Sequence, residues 1–399
     1  MLDRRDLLRR SSLIALAPTV PSFLQRLARA AEEKKDDRIL VVVQLDGGND
    51  GVNTVVPYGD EGYAKHRDKL RLNVANLHKL TDNVALHPAM RAAADLVESG
   101  RLAIVQGVGY PNPNRSHDVS MAIWHTARFD RADHKSYGWI GRALDEAPPS
   151  DSAAAMLVGD GALPDALVGR RSIAASFSRL DELAIQNQAA RGGLTAAQPG
   201  DAPAGDGLAD FVRRAALDAY TTADRVTAAA GRERSKTSYP SSELAQHLAI
   251  VARLIEAEMP TRVYYAVQRG YDTHAVQLPT QARLLRELSE ALKAFLDDLK
   301  AAKVDDRVLV LCFSEFGRRV AENASQGTDH GTAGPVFLAG ARVRAGLHGA
   351  APSLTDLVDG DLKMSLDFRQ VYAAVLRDWL SLSTEQALGG KYEPLQILT

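Results

Sequence analysis

The sequence contains a single cysteine, Cys312, so the chain cannot form an intramolecular disulfide. It also lacks an excess of either charge, because 48 lysine and arginine residues stand against 50 aspartate and glutamate residues. Without a basic surplus, the overall charge gives no reason to expect binding to nucleic acid. No stretch after residue 30 approaches the ~18 uninterrupted apolar residues of a membrane span. What remains is the composition of an ordinary globular protein of 399 residues.

The N-terminal segment has the layout of an export signal. It begins with the paired arginines Arg4 and Arg5, continues with a weakly apolar stretch at 13–23, and ends in small residues at Ala30. The paired arginines and the modest hydrophobicity resemble a twin-arginine signal. We therefore predict that residues 1–30 are a signal peptide, that the Tat export machinery is a partner, and that the mature protein is periplasmic or secreted. The alternative is an ordinary amphipathic first helix.

Short apolar runs rich in β-branched residues alternate with helical patterns along the chain. Such nearly continuous runs are typical of strands covered on both faces of a parallel sheet. The alternation predicts a doubly wound, mostly parallel α/β sheet with helices on both faces. We predict this domain for residues 38–399, with an insertion or cap at about 145–240. The strand-like runs are 38–45, 102–108, 262–268, 307–313 and 335–340, and the main helical patterns are 87–100, 241–259, 280–303 and 367–381.

Acids and imidazoles follow or precede several of these runs. In open α/β sheets, ligands bind beyond the carboxyl ends of the strands, so these residues are the first candidates for a site. Aspartate and neutral histidine are typical ligands of zinc, manganese and iron, and the set is large enough for two metal ions. Each residue alone also has a structural explanation, such as an Asx turn or a helix cap. The candidates are Asp46, Asp272, His274, Glu315, Arg318, Asp329, His330 and His348.

Ser116 is a candidate nucleophile. It lies in the loop "YPNPNRSHDVSMAIW", where a helix is predicted to begin near Ser116 or Asp118. A serine at a helix N-terminus sits where backbone N–H groups favour an anion. The alternative is that Ser116 is only an N-cap residue. The chain has no G-x-S-x-G elbow, no P-loop and no Rossmann fingerprint.

The segments "VVVQLDGGNDGVNTVVPY", "NRSH", "GYDTH", "SEFGRR" and "TDHG", behind a twin-arginine leader, resemble the DUF1501 family of exported bacterial proteins. That family is usually placed in the alkaline phosphatase and sulfatase superfamily. The resemblance covers nearly the whole chain and implies an alkaline phosphatase-like fold with a two-metal site. It assigns one metal to Asp46, Ser116, Asp329 and His330, and the other to Asp272, His274 and His348.

The resemblance also implies roles for the remaining candidates. Ser116 would be the nucleophile, with Thr54 or His117 as a substitute. Glu315 and Arg318 would contact the substrate anion or support the ligands, because arginine suits bidentate binding of an oxyanion. Asp272 and His274 are separated by one residue, whereas relatives more often place three between them, so this pair requires a turn or an extended backbone.

The leading hypothesis is an exported hydrolase of phosphate or sulfate esters that uses a serine nucleophile. Its cofactors would be two divalent metal ions (zinc, manganese, iron or calcium), and its substrate a small-molecule or polymer-borne anionic ester. The rival hypothesis is a non-catalytic, metal-containing binding or assembly protein of the cell envelope on the same fold. A purely structural protein is the third. The completeness of the ligand set favours the first.

Overall fold

The apolar run that begins at Ile39 forms a central strand of a large sheet, and the other predicted runs form its neighbours. The computed structural model describes residues 38–129, 137–147, 153–172, 174–178, 225–226, 228 and 237–399. The strands of these residues are β1 (Ile39–Asp46), β2 (Val55–Val56), β3 (His78–Lys79), β4 (Ala85–Leu86), β5 (Leu102–Gly109), β6 (Ala155–Val158), β7 (Ala174–Phe177), β8 (Val263–Arg269), β9 (Val308–Phe313), β10 (Gly334–Ala339), β11 (Gly346–His348), β12 (Leu357–Val358), β13 (Asp361–Leu362) and β14 (Leu366–Asp367).

Four helices, α3, α6, α7 and α8 of the list that follows, lie where the spacing of apolar residues predicts them. The helices of the described residues are α1 (Gly51–Thr54), α2 (Glu61–His66), α3 (Arg91–Glu98), α4 (His117–Thr126), α5 (Trp139–Leu144), α6 (Glu243–Glu256), α7 (Gln277–Ala301), α8 (Phe368–Ala373) and α9 (Glu385–Leu388). The last predicted helix continues from α8 into a π-helix at Ala374–Trp379. Single 3₁₀ turns occur at Val74–Asn76, Asp165–Leu167 and Asp305–Arg307.

The main sheet has nine strands in the order β11-β5-β10-β9-β1-β8-β6-β7, and β14 pairs with β5 outside this path. Every pairing is parallel except those of β10, which is antiparallel to both β5 and β9. The predicted mostly parallel α/β fold is therefore confirmed. The reversal of β10 has a simple cause. No helix lies between β9 and β10, and adjacent strands without a crossover pair antiparallel. Two small sheets, β12-β13 and β2-β4-β3, lie outside it.

Alternate side chains of β1 explain why the sheet is covered on both faces. Val41 and Val43 belong to one buried cluster, which also holds the apolar faces of α3, α6 and α7. Leu40 and Val42 belong to a second cluster, which holds residues of α4, α5 and α8. Because successive strand residues point to opposite faces, a continuous apolar run requires exactly such a two-sided core.

Two sequence predictions fall wholly or mostly outside the described residues. They are the signal peptide at residues 1–30 and the insertion at about 145–240. The described part of the second range includes β6 and β7, which extend the main sheet beside β8. Among the helices of the described ranges, none has the length and apolar character needed to span a bilayer.

Buried His125 makes the fold sensitive to acid. This residue of α4 lies 3.0 Å from Gln44 Oε1 and 3.2 Å from the Tyr265 hydroxyl, and burial lowers its pKa to about 4. The unfolded chain, with an ordinary histidine pKa of about 6.5, binds more protons as the pH falls below that value. The stability that neutral His125 contributes is therefore lost between about pH 6.5 and about pH 4.

Replacing His125 by asparagine tests this linkage. From about pH 7.5 to about pH 4.5, the wild type should lose roughly 2–3 kcal/mol more of its unfolding free energy than His125→Asn loses. Urea unfolding at the two pH values measures both changes. Equal losses in the two proteins would contradict the assignment of acid sensitivity to His125.

Candidate metal centre

The candidate site lies beyond the carboxyl ends of β1, β5, β8 and β9, where their loops meet the turn that precedes β10. Two glycines after β1 allow these loops to approach each other. Gly47 has a φ of +118°, and a Cβ atom there would lie 2.4 Å from the backbone nitrogen of Asp272. Gly48 has a φ of +79°, and its Cβ would lie 2.3 Å from the Phe316 ring. Neither position accepts a larger residue without moving the site.

Three side chains converge at this edge. Ligating atoms of His117, Asp272 and His330 all lie within 4.8 Å of one another. Asp272 Oδ1 is 3.2 Å from His330 Nε2 and 3.6 Å from His117 Nε2. A third imidazole completes the group, since His274 Nε2 lies 3.1 Å from Asp272 Oδ1 and 2.9 Å from His330 Nε2. We call these four residues the His-Asp cluster.

Each imidazole of the His-Asp cluster is held through its Nδ1 atom. The Nδ1 partners are Glu315 Oε1 for His117 at 2.8 Å, Asp329 Oδ1 for His274 at 3.2 Å, and the Arg115 carbonyl for His330 at 2.7 Å. Ionised carboxylates and backbone carbonyls only accept hydrogen bonds, so each Nδ1 carries the proton. In the neutral rings, Nε2 is then an acceptor: that of His117 is buried without a hydrogen-bond partner, and that of His274 lies 3.4 Å from Arg318 Nη1.

The geometry fits a transition-metal ion. Two bare ring nitrogens 2.9 Å apart, on His274 and His330, repel each other unless a proton or a cation lies between them. With bonds of about 2.0–2.1 Å, neighbouring ligands of a tetrahedral zinc ion are about 3.3 Å apart. The three distances from Asp272 Oδ1 to the imidazoles and the His274–His330 distance run from 2.9 to 3.6 Å. An imidazole-rich set with one carboxylate suits zinc, iron or manganese better than calcium or magnesium.

Arg318 holds the loops that carry the His-Asp cluster. Its side chain is fully buried and donates to the carbonyls of Gly48 and Thr328, both at 2.8 Å, and to the carbonyl of Gly47. It also donates to Asp272 Oδ1 at 2.6 Å. Although partial burial opposes ionisation of Asp272, the hydrogen bond and charge of Arg318 lower its pKa to about 2. Asp272 therefore remains a carboxylate throughout the neutral range.

Glu315 orients the His117 ring through a hydrogen bond to Nδ1, on the side away from Nε2 and Asp272 Oδ1. It is 1% exposed, and its Oε1 atom accepts from the Gly47 N–H at 3.0 Å as well as from His117. Its Oε2 atom accepts from the Ser314 hydroxyl at 3.0 Å. The hydrogen bond to Glu315 raises the pKa of His117. A carboxylate behind a ligating histidine fixes the ring and its tautomer, as it does in many metal sites.

A family model described as "Protein of unknown function (DUF1501)" matches residues 37–384, which include the whole cluster. The chain belongs to the DUF1501 family. No curated protein matches this DUF1501 chain.

Several solved structures are similar in fold to this DUF1501 chain. The PsFucS1 sulfatase from Pseudoalteromonas sp. is 10% identical with a TM-score of 0.42, over 92% of this chain and 72% of that one. The phosphonate monoester hydrolase of Agrobacterium radiobacter is 10% identical with a TM-score of 0.37, over 89% and 78% of the two chains. A protein in the alkaline phosphatase superfamily from Vibrio parahaemolyticus is 10% identical with a TM-score of 0.36, over 78% and 62%. These likenesses are weak and carry nothing about the site of this chain.

The sequence analysis divided the ligands between two metal ions, and the structure brings members of both sets together. Asp272 and His274, predicted for one metal, lie against His330, predicted for the other. Their one-residue spacing works because residues 270–273 have no helical structure. Asp329 turns toward His274 Nδ1 and accepts from the Asn323 amide, which lowers the pKa of Asp329.

Two predicted ligands make no hydrogen bond or ion pair with the cluster within the described residues. Asp46 Oδ1 accepts from Gln44 Nε2 at 3.0 Å, and burial, with the nearby charge of Glu315, raises the pKa of Asp46. His348 ends β11, the edge strand, and its Nε2 lies 2.5 Å from the Arg344 carbonyl. The short sequence distance to His330 does not bring His348 to the site, because β11 joins the sheet beyond β5, four strands from β1.

His117 is the member of the cluster that the sequence analysis named only as a substitute nucleophile. Ser116, one residue earlier, is the N-cap of α4; it is exposed, and its hydroxyl makes no capping hydrogen bond. Ser116 has extended backbone and precedes the first helical turn, whereas His117 begins α4 and brings its ring to the cluster. The signal available in the sequence was the histidine of "NRSH" at a predicted helix start.

Proposed function

We propose that this chain is an exported, metal-dependent hydrolase of phosphate or sulfate esters. The observation that carries the proposal is the convergence of histidine Nε2 atoms and the Asp272 carboxylate at the carboxyl edge of the sheet. His117, Asp272 and His330, with His274 beside them, would hold one divalent transition ion. When bound, that ion would supply Lewis acidity toward an ester oxygen. The second metal ion of the sequence analysis stays a prediction.

Ser116 is the proposed nucleophile. Its hydroxyl caps no backbone group, and it stands at the N-terminus of the ten-residue helix α4, where an anion is stabilised. Attack of Ser116 Oγ on phosphorus or sulfur forms a serine ester while the bond to the substrate's alkoxy oxygen breaks. The hydroxyl proton leaves with the alcohol. Water then cleaves the serine ester, which releases phosphate or sulfate and restores the hydroxyl.

Replacement of Ser116 by alanine should abolish this turnover while the metal remains bound. We expect kcat on aryl phosphate or aryl sulfate esters to fall by about 10³-fold or more, with unchanged metal content. Ser99→Ala is the matched control, because Ser99 is an exposed serine at the end of α3, before β5 enters the sheet. It should keep the wild-type rate. A wild type that binds metal but turns over neither ester class would contradict the hydrolase proposal.

A second candidate function is a non-catalytic metal protein of the cell envelope. The observation that favours it is the state of Arg318, the predicted contact for a substrate anion. Its side chain has no exposed surface, and its N–H groups already donate to backbone carbonyls and to Asp272. A guanidinium held in this way positions loops rather than an incoming ester. Metal binding without turnover is the result that this candidate predicts.

A further inference from the structure

Asp361 has a buried carboxylate that lies outside the His-Asp cluster. Its backbone pairs within the β12-β13 hairpin, but its side chain contacts other segments. It lies on β13, opposite Val358 of β12, and is 1% exposed. A charge removed from water costs several kcal/mol unless other groups compensate it. In the part of the chain that the structure describes, the Asp361 carboxylate makes no hydrogen bond to the hairpin 357–362. The groups that compensate the buried charge of Asp361 therefore come from other segments of the chain.

Two arginines from other segments compensate this charge. The Arg115 guanidinium donates to Asp361 Oδ2. Arg319 Nε lies 3.6 Å from Asp361 Oδ1. The two arginines come from distant loops, one after β5 and the other after β9, so a single carboxylate ties both loops to the β12-β13 hairpin.

The backbones of the same two arginines hold the turn that carries the metal ligands. The carbonyl of Arg115 is the Nδ1 partner of His330 at 2.7 Å. The N–H of Arg319 donates to the carbonyl of Asp329 at 3.0 Å. The hairpin reinforces this arrangement, because the Thr332 hydroxyl donates to the Leu362 carbonyl at 2.7 Å.

We propose that Asp361 is a positioning residue of the metal centre. Through Arg115 it fixes the carbonyl that orients the His330 ring, and through Arg319 it fixes the backbone of Asp329. The inference rests on the proposed function, since it concerns the same site. It adds a residue that touches neither the metal nor the substrate and that the strand-end pattern in the sequence does not single out.

The test compares Asp361→Asn, which removes the charge and keeps the shape, with the control Asp356→Asn. Asp356 is an exposed acid just before β12, paired only with Lys363. We expect Asp361→Asn to weaken zinc affinity by about 10–100-fold, the usual effect of an outer-shell partner. It should also change the visible absorption spectrum of the cobalt-loaded chain, because the His330 ring is no longer held. The control should match the wild type in both.

Three outcomes separate this inference from the proposed function. Unchanged zinc affinity and an unchanged cobalt spectrum in Asp361→Asn, with lower stability of the metal-free chain in urea, would show a purely structural role and overturn the inference alone. A wild type that binds no metal would overturn the metal centre itself, and the inference with it. If Asp361→Asn does not fold, Arg115→Gln removes the same ion pair from a more exposed position and should reproduce the loss of affinity.

Discussion

Asp272→Ala is expected to weaken zinc binding by well over 100-fold, more than the loss of an outer-shell partner causes. Asp272 Oδ1 is the atom that His117, His274 and His330 all approach. The carboxylate also neutralises Arg318, which lies 3.4 Å from His274 Nε2. Without it, an uncompensated guanidinium charge would face the imidazoles and disfavour any cation.

Competition with a chromogenic chelator measures this affinity in the wild type, in Asp272→Ala and in the isosteric Asp272→Asn. Asp306→Ala is a suitable control, because Asp306 is exposed and precedes β9, so it lies at the opposite edge of the sheet. It should bind zinc as the wild type does. Wild-type affinity in both Asp272 variants would show that the ion, if bound, is held elsewhere.

Arg67→Ala should lower the free energy of unfolding by about 3–5 kcal/mol, the usual cost of removing one partner of a buried ion pair. Arg67 and Asp50 form such a pair at 2.5 Å, and neither side chain is exposed. Arg67 also donates to the carbonyls of Val320 and Arg319, so its loss leaves one buried and one partly buried acceptor in addition to the Asp50 charge.

Urea unfolding of Arg67→Ala gives the free energy directly. Lys69→Ala, at an exposed position two residues away, should stay within about 0.5 kcal/mol of the wild type. The double variant Asp50→Asn/Arg67→Met should recover part of the loss, because it leaves no buried charge unpaired. A double variant as unstable as Arg67→Ala would locate the cost in the lost backbone contacts rather than in the charge.

The sheet could be predicted from the sequence because its signal is local. A strand covered on both faces must be apolar at every position, and the runs at 38–45, 102–108, 262–268 and 307–313 coincide with β1, β5, β8 and β9 to within a residue or two. The sequence of β10 itself gives no indication of the direction in which the strand runs. Strand direction is set by the connection, here a segment without a helix, and not by the residues of the strand itself.

The site was predictable as a region and only partly as a set of ligands. Residues after strand ends converge because parallel strands end at one edge, which brought Asp272, His274 and His330 together as that rule predicts. That His117 joins the cluster depends on where α4 begins and how it packs, and the position of His348 depends on where β11 joins the sheet. Tertiary packing determines both, and the spacing of motifs along the sequence gives no information about it.

The most direct test of the metal centre is the metal content of the mature wild type, purified without chelator, beside that of His330→Ala. The account predicts about one equivalent of zinc, iron or manganese per chain, which excess calcium does not displace and which His330→Ala loses. A well-folded wild type that contains no such ion and binds none on titration would contradict it.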